Sequence, residues 1–212
     1  MFGYKLNPTL LERCHVVNLA VGDALPKRGN YATRTIAQFI LALLGWQIEG
    51  DIPNLPKIVF IGAPHSSNWD MALGMVVIWA LGLRVYWFAK HTLFPWPIGG
   101  FFRWLGGIPI DRQTSHGVVN QMVGEYERQD KYLLTILPKG TRAKGAKWKS
   151  GFYHIAWHAD APIVPVAFDY GRKVVTFGPT FHPTGNIVAD MDRLQSHFAG
   201  VQPCRGDNEY SA

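Results

Sequence analysis

The stretch VFIGAPHSSNWD, residues 59–70, decides how the chain is read. Val59, Phe60 and Ile61 form a short run of β-branched and aromatic residues, the composition of a buried strand. Pro64 has no N–H to give and ends the ladder. Ser66, Ser67 and Asn68 are each good N-cap residues for the apolar helix that follows. His65 therefore stands at the carboxyl end of a strand, just ahead of a helix N-terminus, where open α/β sheets bind ligands. Inside one regular helix, His65 and Asp70 would point about 140° apart at 3.6 residues per turn. Across a strand-to-helix turn, Asp70 can reach back to the imidazole. It would then fix the tautomer and leave the other ring nitrogen as a general base. A capping Asp beside an ordinary loop His fits the same residues, so the decision falls to the rest of the chain.

Working outward, the runs at residues 57–63, 85–89, 106–112, 132–137, 162–168 and 173–177 read as strands. Apolar spacing marks helices at 33–46, 70–83, 151–159 and 186–198. Another helix follows Thr114 or Ser115, with Val118, Val119, Met122, Val123 and Tyr126 on one face. Strands alternating with helices predict parallel pairing through right-handed crossovers. The expected fold is α/β: a single domain with a mostly parallel central sheet flanked by helices and an N-terminal helical segment. Residues 1–30 read as an extension of uncertain structure, 31–200 as the domain, and 201–212 as a loose tail.

A chain of 212 residues with 48% hydrophobic content and eight Trp buries a substantial core and is not disordered. A net charge of +6 points to an anionic partner. The cations gather in one loop: Lys139, Arg142, Lys144, Lys147 and Lys149 follow a buried strand with no acid among them. They form no stripe and accompany no nucleic-acid motif, so no nucleic-acid partner is expected. Gly140 permits a tight turn, and Thr141 and Arg142 offer a hydroxyl and a guanidinium, parts that suit phosphate capture. Arg112, at the end of GGIPIDR, can hold a phosphate through two parallel N–H bonds or pair with its neighbour Asp111. Cys14 and Cys204 sit in no metal or redox spacing and read as reduced thiols. His154 and His158 are four apart without a third ligand, so no metal site is expected. The N-terminus lacks the pattern of a secretory signal. Residues 36–48 and 71–83 are apolar but shorter than the ~20 residues a membrane span needs, so both read as buried or interfacial.

Four blocks stand in order: HSSNWD, GGIPIDR, PKGTR and APIVPVA. Their order and spacing, over roughly residues 57–168, resemble the glycerolipid acyltransferase family, which includes the 1-acylglycerol-3-phosphate acyltransferases. The matching positions are His65 and Asp70, then Gly106, Ile108, Ile110 and Arg112. Pro138, Gly140, Thr141 and Arg142 follow, and last Pro162, Ile163, Val164 and Pro165. Pro109 stands where the family usually has an aromatic residue, and Lys139 where it has Glu.

The resemblance implies an acyltransferase-like fold and transfer of a fatty acyl group from an acyl thioester. The donor is acyl-CoA or acyl-carrier protein, and the acceptor a hydroxyl of a lysophospholipid such as 1-acylglycerol-3-phosphate. It makes His65 the general base and Asp70 its orienting carboxylate. Arg112, Lys139, Gly140, Thr141 and Arg142 become the acceptor-binding set. Backbone N–H groups at the start of the helix after His65 are expected to stabilise the oxyanion, and residues 94–104 to line part of an acyl groove. No metal or cofactor is implied beyond the thioester co-substrate. Peripheral association with the cytoplasmic side of a membrane is implied. The sign reversal at Lys139 keeps open a second outcome, a catalytically impaired lipid- or acyl-carrier-binding homologue.

Overall fold

The computed structural model describes residues 16–17, 19–110, 115–141 and 146–205. In chain order they form α1 (Tyr31–Leu44), β1 (Gln47–Gly50), β2 (Lys57–Ala63), α2 (Trp69–Leu81), β3 (Val85–Lys90), α3 (Ile98–Trp104) and β4 (Gly107–Ile110). After these come α4 (Ser115–Arg128), β5 (Tyr132–Ile136), α5 (Gly151–His158), β6 (Ile163–Asp169), β7 (Val174–Phe177) and α6 (Ile187–Ser196). The strands build one seven-stranded sheet in the order β1-β7-β6-β2-β5-β3-β4. Every neighbouring pair is parallel except β6 with β7. The α/β architecture with a mostly parallel sheet is as the sequence predicts.

After Lys57 the central strand β2 is apolar because both of its faces are covered, as in parallel sheets generally. Ile58 and Phe60 join a core with Leu41 of α1 and Leu73 and Val77 of α2. The alternate residues Val59, Ile61 and Ala63 join a second core with Met122 and Tyr126 of α4 and Phe152 and Ile155 of α5. Each fully buried Ile or Phe stabilises the fold by roughly 1.5–3 kcal/mol. Tyr126 adds a buried hydrogen bond, its hydroxyl donating to the Ile58 carbonyl at 2.9 Å.

Three features differ from the sequence reading. Helix α1 begins at Tyr31 because Asn30 forms a capping box with Thr33, and it ends at Gly45, whose φ of 74° is left-handed. The four-residue strand β1 has no apolar run to announce it, and it pairs with β7 at the sheet edge. Residues 201–205 pack on the domain instead of hanging loose. Val201 is buried, the Gln202 carbonyl accepts from Tyr170 N at 2.9 Å, and Arg205 N donates to Ser66 Oγ at 3.2 Å.

Candidate active site

Sheet register gathers the site. Ala63 of β2 pairs with Ala167 of β6 on one side, and Ile61 pairs with Ile136 of β5 on the other. The chain therefore leaves the same edge of the sheet at three adjacent places: at His65, at Tyr170 and at residues 138–141. This is the carboxyl edge, and β2 lies between strands that come much later in the chain, the arrangement that opens a binding crevice in α/β sheets.

His65 and Asp70 are brought together as expected. Nδ1 of His65 lies 3.2 Å from Asp70 Oδ2. The contact is close but is not a linear hydrogen bond, since no acceptor meets the directional requirement at Nδ1. Contacts of this kind commonly tighten only when substrate arrives. The His65 side chain is 12% exposed, so the ring is shielded yet reachable.

Asp70 is buried, and its partners explain why it stays charged. Oδ2 accepts from the backbone N–H groups of Ser66 and Ser67, both at 2.8 Å, while Oδ1 accepts from the Tyr170 hydroxyl at 2.8 Å. Burial pushes the carboxyl pKa up. His65, the Ser67 amide, the Tyr170 hydroxyl and the Ser66 amide together outweigh it and hold the pKa below the usual carboxylate value. One expectation is corrected here. Asn68 is the N-cap residue but its side chain makes no cap bond; Asp70, in the first turn of α2, reaches back to the preceding amides of Ser66 and Ser67 instead.

The loop after β5 turns tightly, with Gly140 N donating to the Leu137 carbonyl at 3.0 Å and Gly140 itself left-handed at φ 60°. Lys149 N donates to the Pro138 carbonyl at 2.9 Å, which folds the loop back on itself. Lys139 is buried, Gly140 half-buried and Thr141 exposed. Arg112 and Arg142 lie outside the described residues. Tyr170 was missed by sequence reading because it is 100 positions from Asp70. Its one signal is placement directly after a buried strand. Among the described residues no cluster of His, Cys, Asp and Glu is able to hold a metal ion.

A buried carboxylate 3.2 Å from an imidazole, at the carboxyl edge of a mostly parallel sheet, is an arrangement able to support general-base chemistry. The family model described as Acyltransferase matches residues 47–169, and the chain belongs to that family. The 1-acyl-sn-glycerol-3-phosphate acyltransferase of Escherichia coli (strain K12) is 30% identical over 135 residues, covering 58% of this chain and 53% of that protein. That of Haemophilus influenzae is 28% identical over 135 residues, covering 58% of this chain and 54% of that protein. The chain thus spans about half the length of the curated relatives it matches. The crystal structure of the 1-acyl-sn-glycerophosphate (LPA) acyltransferase PlsC from Thermotoga maritima aligns with a TM-score of 0.49 at 16% identity, covering 73% of this chain and 69% of that one.

Proposed function

We propose that the chain transfers a fatty acyl group from an acyl thioester, acyl-CoA or acyl-carrier protein, to the hydroxyl of a lysophospholipid such as 1-acylglycerol-3-phosphate. The His65–Asp70 pair, in a family domain whose curated relatives carry that activity in their names, is the observation that carries the reading. An alcohol is a poor nucleophile. His65 takes its proton through Nε2, the ring nitrogen turned away from Asp70, as the oxygen attacks the thioester carbonyl. Asp70 stabilises the imidazolium so formed. The tetrahedral intermediate collapses, the C–S bond breaks, and the proton on His65 passes to the departing thiolate. Lys139, Gly140 and Thr141, with Arg112 and Arg142, hold the acceptor phosphate and set its hydroxyl beside His65, an entropic contribution.

Both substrates are lipids or lipid-linked, and the surface fits a lipid boundary. Tyr31, Ile36, Phe39 and Leu43 of α1 are exposed, as are Trp69 and Met71 at the start of α2, directly after the reactive loop. Trp96, Phe101 and Trp104 on and before α3 are exposed too, and Trp104 stacks edge-on to Trp79 of α2 at 6.5 Å. No helix among the described residues is long and apolar enough to cross a membrane. We therefore place the chain peripherally, with α1, α2 and α3 toward the lipid. The test is acyl transfer from a long-chain thioester to a panel of lysolipids, wild type beside His65→Ala. Product that depends on His65 supports the reading and names the acceptor. Retained lipid binding without turnover on any pair would replace it with the impaired homologue and put Lys139 at the centre.

A further inference from the structure

We propose that Tyr170 is a positioning residue for this reaction, its hydroxyl holding the Asp70 carboxylate in the orientation that keeps Oδ2 turned to His65. The proposal rests on the general-base reading of His65. A carboxylate turns easily about its last torsion, whose preference is broad and twofold. The two amides of Ser66 and Ser67 both act on Oδ2, and His65 lies against that same oxygen. Oδ1 receives the Tyr170 hydroxyl at 2.8 Å, from the turn that follows β6. With both oxygens engaged from different directions, rotation breaks hydrogen bonds at both ends.

Tyr170 is itself held on several sides. Its backbone N–H is tied to the Gln202 carbonyl, and its ring meets Trp46 edge-on with centroids 5.0 Å apart. Cys204 borders the hydroxyl. Burial first, then the bond to Asp70 and its charge, push the phenol pKa well up, so the group remains a donor at every pH the enzyme meets. A tyrosine whose role was packing alone would not need that hydroxyl, which makes Tyr170→Phe a clean perturbation: the ring stays against Trp46 and only the donor is lost.

The experiment measures kcat and KM for both substrates in wild type, Tyr170→Phe, Asp70→Ala, the double variant and His65→Ala, with melting curves for each. The expected result is a fall in kcat of about tenfold or more in Tyr170→Phe, the worth of one hydrogen bond to a charged group, with both KM values little changed and the melting midpoint lowered but the protein folded. In the Asp70→Ala background the same substitution should have no further effect, because its route is through Asp70. A kcat within twofold of wild type while His65→Ala is inactive overturns the proposal alone. So does a change confined to KM, or a loss that persists undiminished without Asp70. Full activity in His65→Ala overturns the general-base reading, and the proposal falls with it.

Discussion

Replacing Asp70 by Asn separates the charge of the site from its shape. An amide oxygen can stay on the Ser66 and Ser67 amides, and the new NH2 can face Tyr170, whose hydroxyl turns and accepts. The loop frame survives, but the negative charge beside Nδ1 is gone. At the observed 3.2 Å and an effective dielectric of about 20, the lost attraction to an imidazolium is about 5 kcal/mol, or 10³–10⁴ in rate. That imidazolium exists only once His65 has taken the proton, so the loss belongs in kcat and not in KM. Three charge-assisted bonds become neutral ones, which costs about 1–3 kcal/mol of stability. Thiol release from the thioester, followed under saturating acceptor, gives kcat, and urea unfolding gives the second number. A folded Asp70→Asn protein with kcat within tenfold of wild type would refute the reasoning, since the carboxylate would then contribute geometry without charge.

Asp190 should make the fold acid-sensitive. Burial raises its pKa, but the Thr184 amide, the Tyr153 hydroxyl and the Thr184 hydroxyl outweigh it and leave the pKa below 3.8. A depressed carboxyl contributes stability above its unfolded pKa and loses it as pH falls through the folded one. The urea midpoint of wild type should therefore drop more steeply below pH 4 than that of Asp190→Asn. Tyr126→Phe should lose about 1 kcal/mol in urea unfolding at unchanged kcat, because its hydroxyl donates to the buried Ile58 carbonyl, away from His65 and Asp70. Gly106 has φ 95°, and a Cβ there would meet the Val85 carbonyl oxygen at 2.4 Å. Gly106→Ala should accordingly lose about 2 kcal/mol or more, read as a lowered melting midpoint.

The central strands were legible because burial on both faces leaves a signature in one dimension. Residues 58–63 and 163–168 are unbroken apolar runs of strand length, bounded by Lys57 and Asp169. Gln47–Gly50 carries one buried residue and depends on Val174–Phe177 for its pairing, a partner invisible from its own sequence. His65 and Asp70 were legible as a pair because five positions across a turn can be reasoned about locally. Tyr170 was not, since only the order of strands brings residue 170 beside residue 70. Local preference favours serine side chains as caps, and Ser67 Oγ does accept from Trp69 N at 3.2 Å, but the Ser66 and Ser67 amides go to the Asp70 carboxylate, a partner their own preference does not announce.

The strand order also sets a timetable for synthesis. β2 is complete at Ala63, but its neighbours β5 and β6 begin only at Tyr132 and Ile163. About a hundred residues, or about 5–20 s of translation at 5–20 residues per second, separate the strand from its second partner. Until β5 is made the apolar segment 58–63 has both edges open, and until β6 is made it has one, a template for pairing with other chains. The turn after β2 is emitted early, and the groups bonded to it, at residues 170 and 205, follow about a hundred residues later or more. Reactivity and exposure are thus kept apart in time: the nascent chain depends on protection of β2 long before it has a site to use.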